Sequence, residues 1–124
     1  MMRPCLLAFV DDLYYQSQIE DIAQTKEIET YFVTHGEQLS QLVKTLVPFM
    51  LLIDLAGLDS EWIFRHISQV KMDRPHLPVV AFVAPLREDV RDRAEKYGCQ
   101  RIMVKTELLK QLPQLIEDGL RGIV

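Results

Sequence analysis

The sequence predicts an α/β protein, a doubly wound five-stranded parallel sheet with helices on both faces. Three observations lead there. Short apolar runs alternate with amphipathic segments five times over. Three of the runs, LLAFV, FMLLI and VVAFV, are apolar at every position, and the links between runs and helical segments are short. Strands covered on both faces read as unbroken apolar runs, whereas half-exposed strands alternate. Repeated βα units with short connections and right-handed crossovers form a parallel sheet.

The first run, residues 5–10, ends in Asp11-Asp12. A helix is expected from Leu13 to about Thr25, with Ile19, Ile22 and Ala23 on its apolar face. It is the least regular of the five. The second run, residues 28–34, contains Glu29 and Thr30, a mixed pattern that predicts a strand near the sheet edge. Gly36 opens the next helical region, where Leu39, Leu42, Val43 and Leu46 stand at i, i+3, i+4 and i+7. Pro48 precedes the third run, residues 49–53, which Asp54 closes.

Ile63, Ile67 and Val70 carry the third helix, with Trp62 and His66 alongside and Asp59 or Ser60 suited to cap it. Pro75 and Pro78 stop that helix and launch the fourth run, residues 79–83. Val90, Ala94 and Tyr97 mark the fourth helix, and Gly98 stands where a left-handed C′ residue is commonly needed. The fifth run, residues 100–104, leads into Lys105-Thr106, and Leu108, Leu112, Leu115 and Ile116 form the last apolar stripe. A proline inside a helix costs about 3 kcal/mol or more. The last helix is therefore expected to begin near Lys110, so that Pro113 falls in its first turn.

At 124 residues the chain fits one domain, 1–124, with enough apolar content for a real core. Net charge is −4 with no basic stripe, which argues against direct nucleic-acid binding. The longest apolar run, residues 46–53, is broken by Pro48 and far shorter than a membrane span. The N-terminal stretch lacks a signal-peptide layout, because its apolar run ends in two aspartates. Cys5 and Cys99 show no paired-thiol or metal spacing and read as reduced thiols of a cytoplasmic protein.

In open α/β sheets the ligand site lies beyond the carboxyl ends of the strands. Asp11 and Asp12 follow the first run, Asp54 the third and Lys105 the fifth, so three carboxylates and one ammonium are expected on one edge. Clustered like charges raise one another's pKa unless a cation is present. Hard oxygen donors at an open edge suit Mg²⁺, which keeps several waters and takes one or two carboxylates. Any single one of these acids also reads as a helix cap or turn residue, Asp12 above all. The combination across three strand ends favours a shared site.

The strand-end stretches LLAFVDD, FMLLIDLAG, LPVVAFVAP and AEKYGCQRIMVKT together resemble the receiver domain of two-component response regulators, over essentially the whole chain. The resemblance implies a flavodoxin-like (βα)₅ fold with strand order 2-1-3-4-5. It implies that Asp54 accepts a phosphoryl group from a sensor histidine kinase or phosphotransfer protein. Mg²⁺ would be held by Asp11, Asp12, Asp54 and the backbone carbonyl of Ala56, with Lys105 contacting the phosphoryl group. The face formed by helix four, strand five and helix five would meet an output domain or a second copy. The chain departs from the family at several places. Val83 replaces the hydroxyl residue that ends the fourth strand, and Ile102 replaces the switch aromatic of the fifth. The Met-Pro pair is missing from a loop after Asp54 that looks shortened, and Thr106 stands where proline is usual. A receiver with a weakened switch is expected, the alternative being a docking module that works without phosphorylation.

Other features point nowhere specific. His35, His66 and His76 lack ligand spacing, and no glycine-rich phosphate loop or nucleophile elbow is present. Tyr14-Tyr15 reads as an aromatic pair at the rim, one ring packed and one partly solvated. Arg87, Arg91 and Arg93 alternate with Glu88, Asp89, Asp92 and Glu95, the pattern of a solvated helix with i, i+4 pairs or of a symmetric dimer contact.

Overall fold

The computed structural model describes residues 3–55 and 60–124. The strands are β1 (Cys5–Phe9), β2 (Glu29–Val33), β3 (Met50–Asp54), β4 (Val79–Val83) and β5 (Arg101–Val104). They form one parallel sheet in the order β2-β1-β3-β4-β5. The helices are α1 (Leu13–Thr25), α2 (Leu39–Leu46), α3 (Ser60–Asp73), α4 (Glu88–Lys96) and α5 (Lys105–Arg121), and a short 3₁₀ turn (Gly36–Gln38) precedes α2. β1, β3 and β4 are buried at every position, while the edge strands β2 and β5 are mixed. That is the contrast the run compositions predict.

Side chains alternate across a strand, and here the alternation divides the core in two. Leu7, Phe9, Leu51, Ile53, Ala81 and Val83 pack with Leu39, Val43, Ile63, Phe64, Ile67 and Ala94 from α2, α3 and α4. Leu6, Ala8, Met50, Leu52, Val80, Phe82 and Met103 pack with Ile19, Ala23, Leu108, Leu112, Leu115 and Ile116 from α1 and α5. This parity decides which helices each strand-end residue meets.

The last helix corrects the expectation. It begins at Lys105, not near Lys110, and Pro113 lies inside it. A start at Lys110 would leave Leu108 outside the helical stripe. Instead Leu108, Leu112, Leu115 and Ile116 are all buried on one face, each worth about 1.5–3 kcal/mol. Together they outweigh the backbone bond the proline cannot make to Leu109 and its steric cost.

The remaining punctuation serves as expected. Gly98 has φ +113°, a left-handed conformation, and a Cβ there would lie 2.7 Å from Cγ of Lys71. Arg93 leaves its own helix to pair with Glu61 of α3, and its guanidinium also covers the Phe64 ring at 5.3 Å. Both cysteines are buried and free. No described helix is long and apolar enough to cross a membrane.

Candidate functional site at the carboxyl edge of the sheet

Asp54 is the last residue of β3 and shares the parity of Met50 and Leu52, so it faces the α1 and α5 side of the sheet. It is 7% exposed. Lys105, the first residue of α5, donates from Nζ to Oδ2 of Asp54 at 3.1 Å and to Oδ2 of Asp12 at 3.5 Å. Three segments of the chain thus meet in one ion pair network. A lysine at a helix N-terminus opposes the helix dipole, and the two carboxylates offset that.

Asp12 does both things the sequence allowed. Its Oδ1 caps α1 by accepting from the N–H groups of Tyr14 and Tyr15 at 2.9 and 3.2 Å, while its Oδ2 faces Lys105. The turn before it is held by Gln16, whose Nε2 donates to the carbonyl of Val10 at 2.6 Å. The hydrogen bond from the Tyr15 N–H holds the Asp12 carboxyl below the usual range; desolvation opposes this and the Lys105 charge assists it. Burial disfavours the Lys105 ammonium, but the hydrogen bonds and charges of Asp54 and Asp12 prevail and raise its pKa above the ordinary lysine value.

Asp11 is exposed on the same loop and joins none of these ion pairs among the described residues. Ala56, Asp59 and the loop expected to be shortened lie outside the described residues, and so does the side chain of Ser60. Val83 and Ile102 pack in the apolar cluster on the other face, with α2, α3 and α4. Val83 is 8% exposed, so an apolar side chain closes this end of β4.

Sequence reasoning missed Phe82 and placed Tyr15 only at the rim. Phe82 pairs in register with Asp54 and is fully buried. Tyr15 stacks on Phe82 with ring centroids 6.3 Å apart and lies beneath the Lys105 ammonium, 4.6 Å from Nζ to the ring centroid. The signal for Tyr15 was its spacing, one helical turn after Asp12. The rim pair otherwise divides as expected, with Tyr15 partly buried and Tyr14 62% exposed.

No protein-family model matches the sequence, and no curated protein does. Solved structures do match. A response regulator from Thermotoga maritima superposes with a TM-score of 0.83 at 11% identity, covering 97% of this chain and 99% of the other. The Vibrio cholerae chemotaxis protein CheY4 gives 0.80 at 12% identity, over 95% and 99%. The fold is that of a response-regulator receiver domain. The Mn²⁺-bound form of the response regulator Rcp1 shares this receiver fold at a TM-score of 0.74 and 17% identity, over 93% and 92%.

The donor chemistry fits a divalent cation of the Mg²⁺ kind. Two hard carboxylates, Asp12 and Asp54, converge on one cationic group, and that is the number such an ion takes from protein while keeping its waters. The Lys105 ammonium now neutralises that place. Among the described residues no three His, Cys, Asp or Glu side chains are grouped so as to hold a metal ion.

Proposed function

We propose that the chain is a phosphoacceptor receiver module of two-component signalling in the cytoplasm, with Asp54 as acceptor. The observation that carries the reading is the bridging of Asp54 and Asp12 by Lys105 at the carboxyl edge of a receiver fold. A carboxylate oxygen of Asp54 attacks phosphorus of a sensor kinase's phosphohistidine or of a small acyl phosphate. A P–O bond forms, the P–N or P–O bond to the donor breaks, and the donor leaves with the electron pair. Lys105, already within hydrogen-bond reach of Asp54, shifts to the incoming phosphoryl oxygens and offsets their charge.

Asp11, Asp12, Asp54 and the carbonyl of Ala56 would hold Mg²⁺. When bound, the metal supplies charge neutralisation between carboxylate and phosphoryl group. The Mn²⁺-bound Rcp1 supports this part of the reading. Output contacts are assigned to the α4, β5 and α5 face, where Leu86, Arg91, Arg101, Ile102, Val104 and Glu107 line a groove of about 410 Å³.

The switch is weakened. Val83 offers no hydroxyl to the phosphoryl group, which forgoes a bond of about 1.5–3 kcal/mol to a charged acceptor. Ile102 has neither polar tip nor ring. The same packing favours a second reading, a docking module that works unphosphorylated. Acetyl phosphate with Mg²⁺, followed by intact-mass spectrometry of wild type and Asp54→Asn, separates the two. The receiver reading expects one added phosphoryl group on wild type alone, and an unmodified wild type with no saturable Mg²⁺ binding at millimolar metal supports docking.

A further inference from the structure

Lysine has a long flexible stem and a strongly hydrated head, and at the first position of α5 nothing in its own helix draws it inward. Yet the Lys105 side chain is only 16% exposed. One residue meets it at both ends. The Tyr15 ring lies under the ammonium at 4.6 Å, and the Tyr15 hydroxyl donates to the Lys105 backbone carbonyl at 3.4 Å. Tyr15 is itself fixed from three sides. Its N–H donates to Oδ1 of Asp12, its ring stacks on Phe82 at an interplanar angle of 24°, and the Tyr14 ring meets its edge at 5.6 Å. Phe82 in turn is the register partner of Asp54. The circuit closes on the two carboxylates that Lys105 bridges.

An aromatic face suits this place. Its quadrupole attracts an ammonium without adding a charge that would compete with Asp12 and Asp54. An aliphatic side chain would fill the volume without the attraction, and a carboxylate would draw the lysine away.

We propose that Tyr15 is a positioning residue that holds the Lys105 ammonium between Asp12 and Asp54, and so governs how easily a divalent cation displaces it. The positioning stands on geometry alone; only its consequence for phosphoryl transfer rests on the receiver reading. Tyr15 lowers the affinity for free metal, because the ammonium must retreat from the carboxylates before the ion enters. It also keeps Lys105 ready for the phosphoryl oxygens.

The test uses the whole chain as wild type, Tyr15→Phe, Tyr15→Leu and Tyr15→Met, with Tyr31→Leu as control because that exposed ring stands on the edge strand β2, away from the site. Circular dichroism checks folding, and Tyr15→Met stands in should Tyr15→Leu fail to fold. The first arm needs neither metal nor donor. Nitrogen-15 NMR reads the Lys105 ammonium protons, assigned by Lys105→Arg. Wild type, Tyr15→Phe and Tyr31→Leu should show slow exchange, and Tyr15→Leu and Tyr15→Met should exchange at least about tenfold faster once the ring contact is gone. Equal exchange in all variants overturns the proposal.

The second arm titrates MgCl₂ against the Asp12 amide signal. Binding about fivefold tighter in Tyr15→Leu than in wild type supports displacement of a held ammonium. Weaker or equal binding assigns Tyr15 a merely structural part and overturns that half of the proposal. The third arm follows acetyl phosphate labelling at saturating Mg²⁺, where Tyr15→Leu should be slower despite tighter metal binding. No labelling in any variant, wild type included, sinks the receiver reading while the exchange arm still judges Tyr15. Equal labelling together with equal exchange sinks the Tyr15 proposal and leaves the receiver reading intact.

Discussion

Lys105→Met removes the cation between two carboxylates while keeping a flexible stem on the Tyr15 ring, so the loss is almost purely electrostatic. The Lys105 and Asp54 side chains are 16% and 9% exposed, so their bond belongs to the buried, charge-assisted kind. Such a bond contributes about 1.5–3 kcal/mol, and breaking a buried pair from one side costs about 3–5 kcal/mol because a charge is left uncompensated. Asp12 is 40% exposed and more distant, so it adds little. A destabilisation of about 3 kcal/mol results, at the low end of the buried range. With a urea slope of about 1.5 kcal/mol per molar, the unfolding midpoint falls by about 2 M. Adding Asp54→Asn to Lys105→Met should recover most of the loss, because the buried charge that lost its lysine is then gone. Millimolar Mg²⁺ should narrow the deficit through preferential binding to the folded state. Urea unfolding followed by Trp62 fluorescence measures all of these. A Lys105→Met midpoint within about 0.3 M of wild type would refute the reasoning, for the lysine would then be a solvated side chain that happens to lie near two acids.

The same network makes stability depend on pH at both ends of the range. Asp12 is held below its ordinary value, so its contribution is complete above about pH 3.9 and is lost as the pH falls through its lower folded pKa. Lys105 is raised, so its contribution is complete below about pH 10.4 and disappears as the pH rises through its higher folded pKa. Urea midpoints across pH should therefore show an alkaline loss in wild type that Lys105→Met lacks. Val83→Thr buries a hydroxyl among apolar groups and should lower stability by about 1–2 kcal/mol. In exchange it should extend the amide shifts induced by a beryllofluoride mimic into residues 87–105, and identical shift maps in wild type and variant would dismiss the lost hydroxyl as the cause. Pro113→Ala restores a helical hydrogen bond to Leu109 and should raise stability by about 1–3 kcal/mol, read as a higher thermal midpoint. Burial pushes the Cys99 thiol up to about 12, against the nearby Lys71 charge. Iodoacetamide at about pH 8 should leave it unmodified in the folded protein and alkylate it in urea.

Much of this molecule is written in local patterns. Unbroken apolar runs fix β1, β3 and β4 as interior strands, because only strands covered on both faces can bury every side chain. The mixed run with Glu29 and Thr30 does become an edge strand, and helical periods identify the faces of α2 to α5. The acids and the lysine could be assigned to one edge because a parallel sheet turns all its carboxyl ends the same way. Composition and spacing alone reach that far.

What they do not reach is how a given side chain divides its contacts among the segments that meet there. The start of α5 followed from the need to bury Leu108 against the sheet, and that gain outweighed a proline's local preference. Asp12 is both cap and ion pair partner because its two oxygens face different neighbours, a division invisible to any motif. Tyr15 joins the site only because α1 and α5 pack on one face of the sheet, bringing its ring under an ammonium ninety positions away in the chain. Sequence patterns record what each residue prefers by itself and within a turn or two of its own element. Packing decides which of those preferences are met together, since burial and charge pairing act through space and not along the chain.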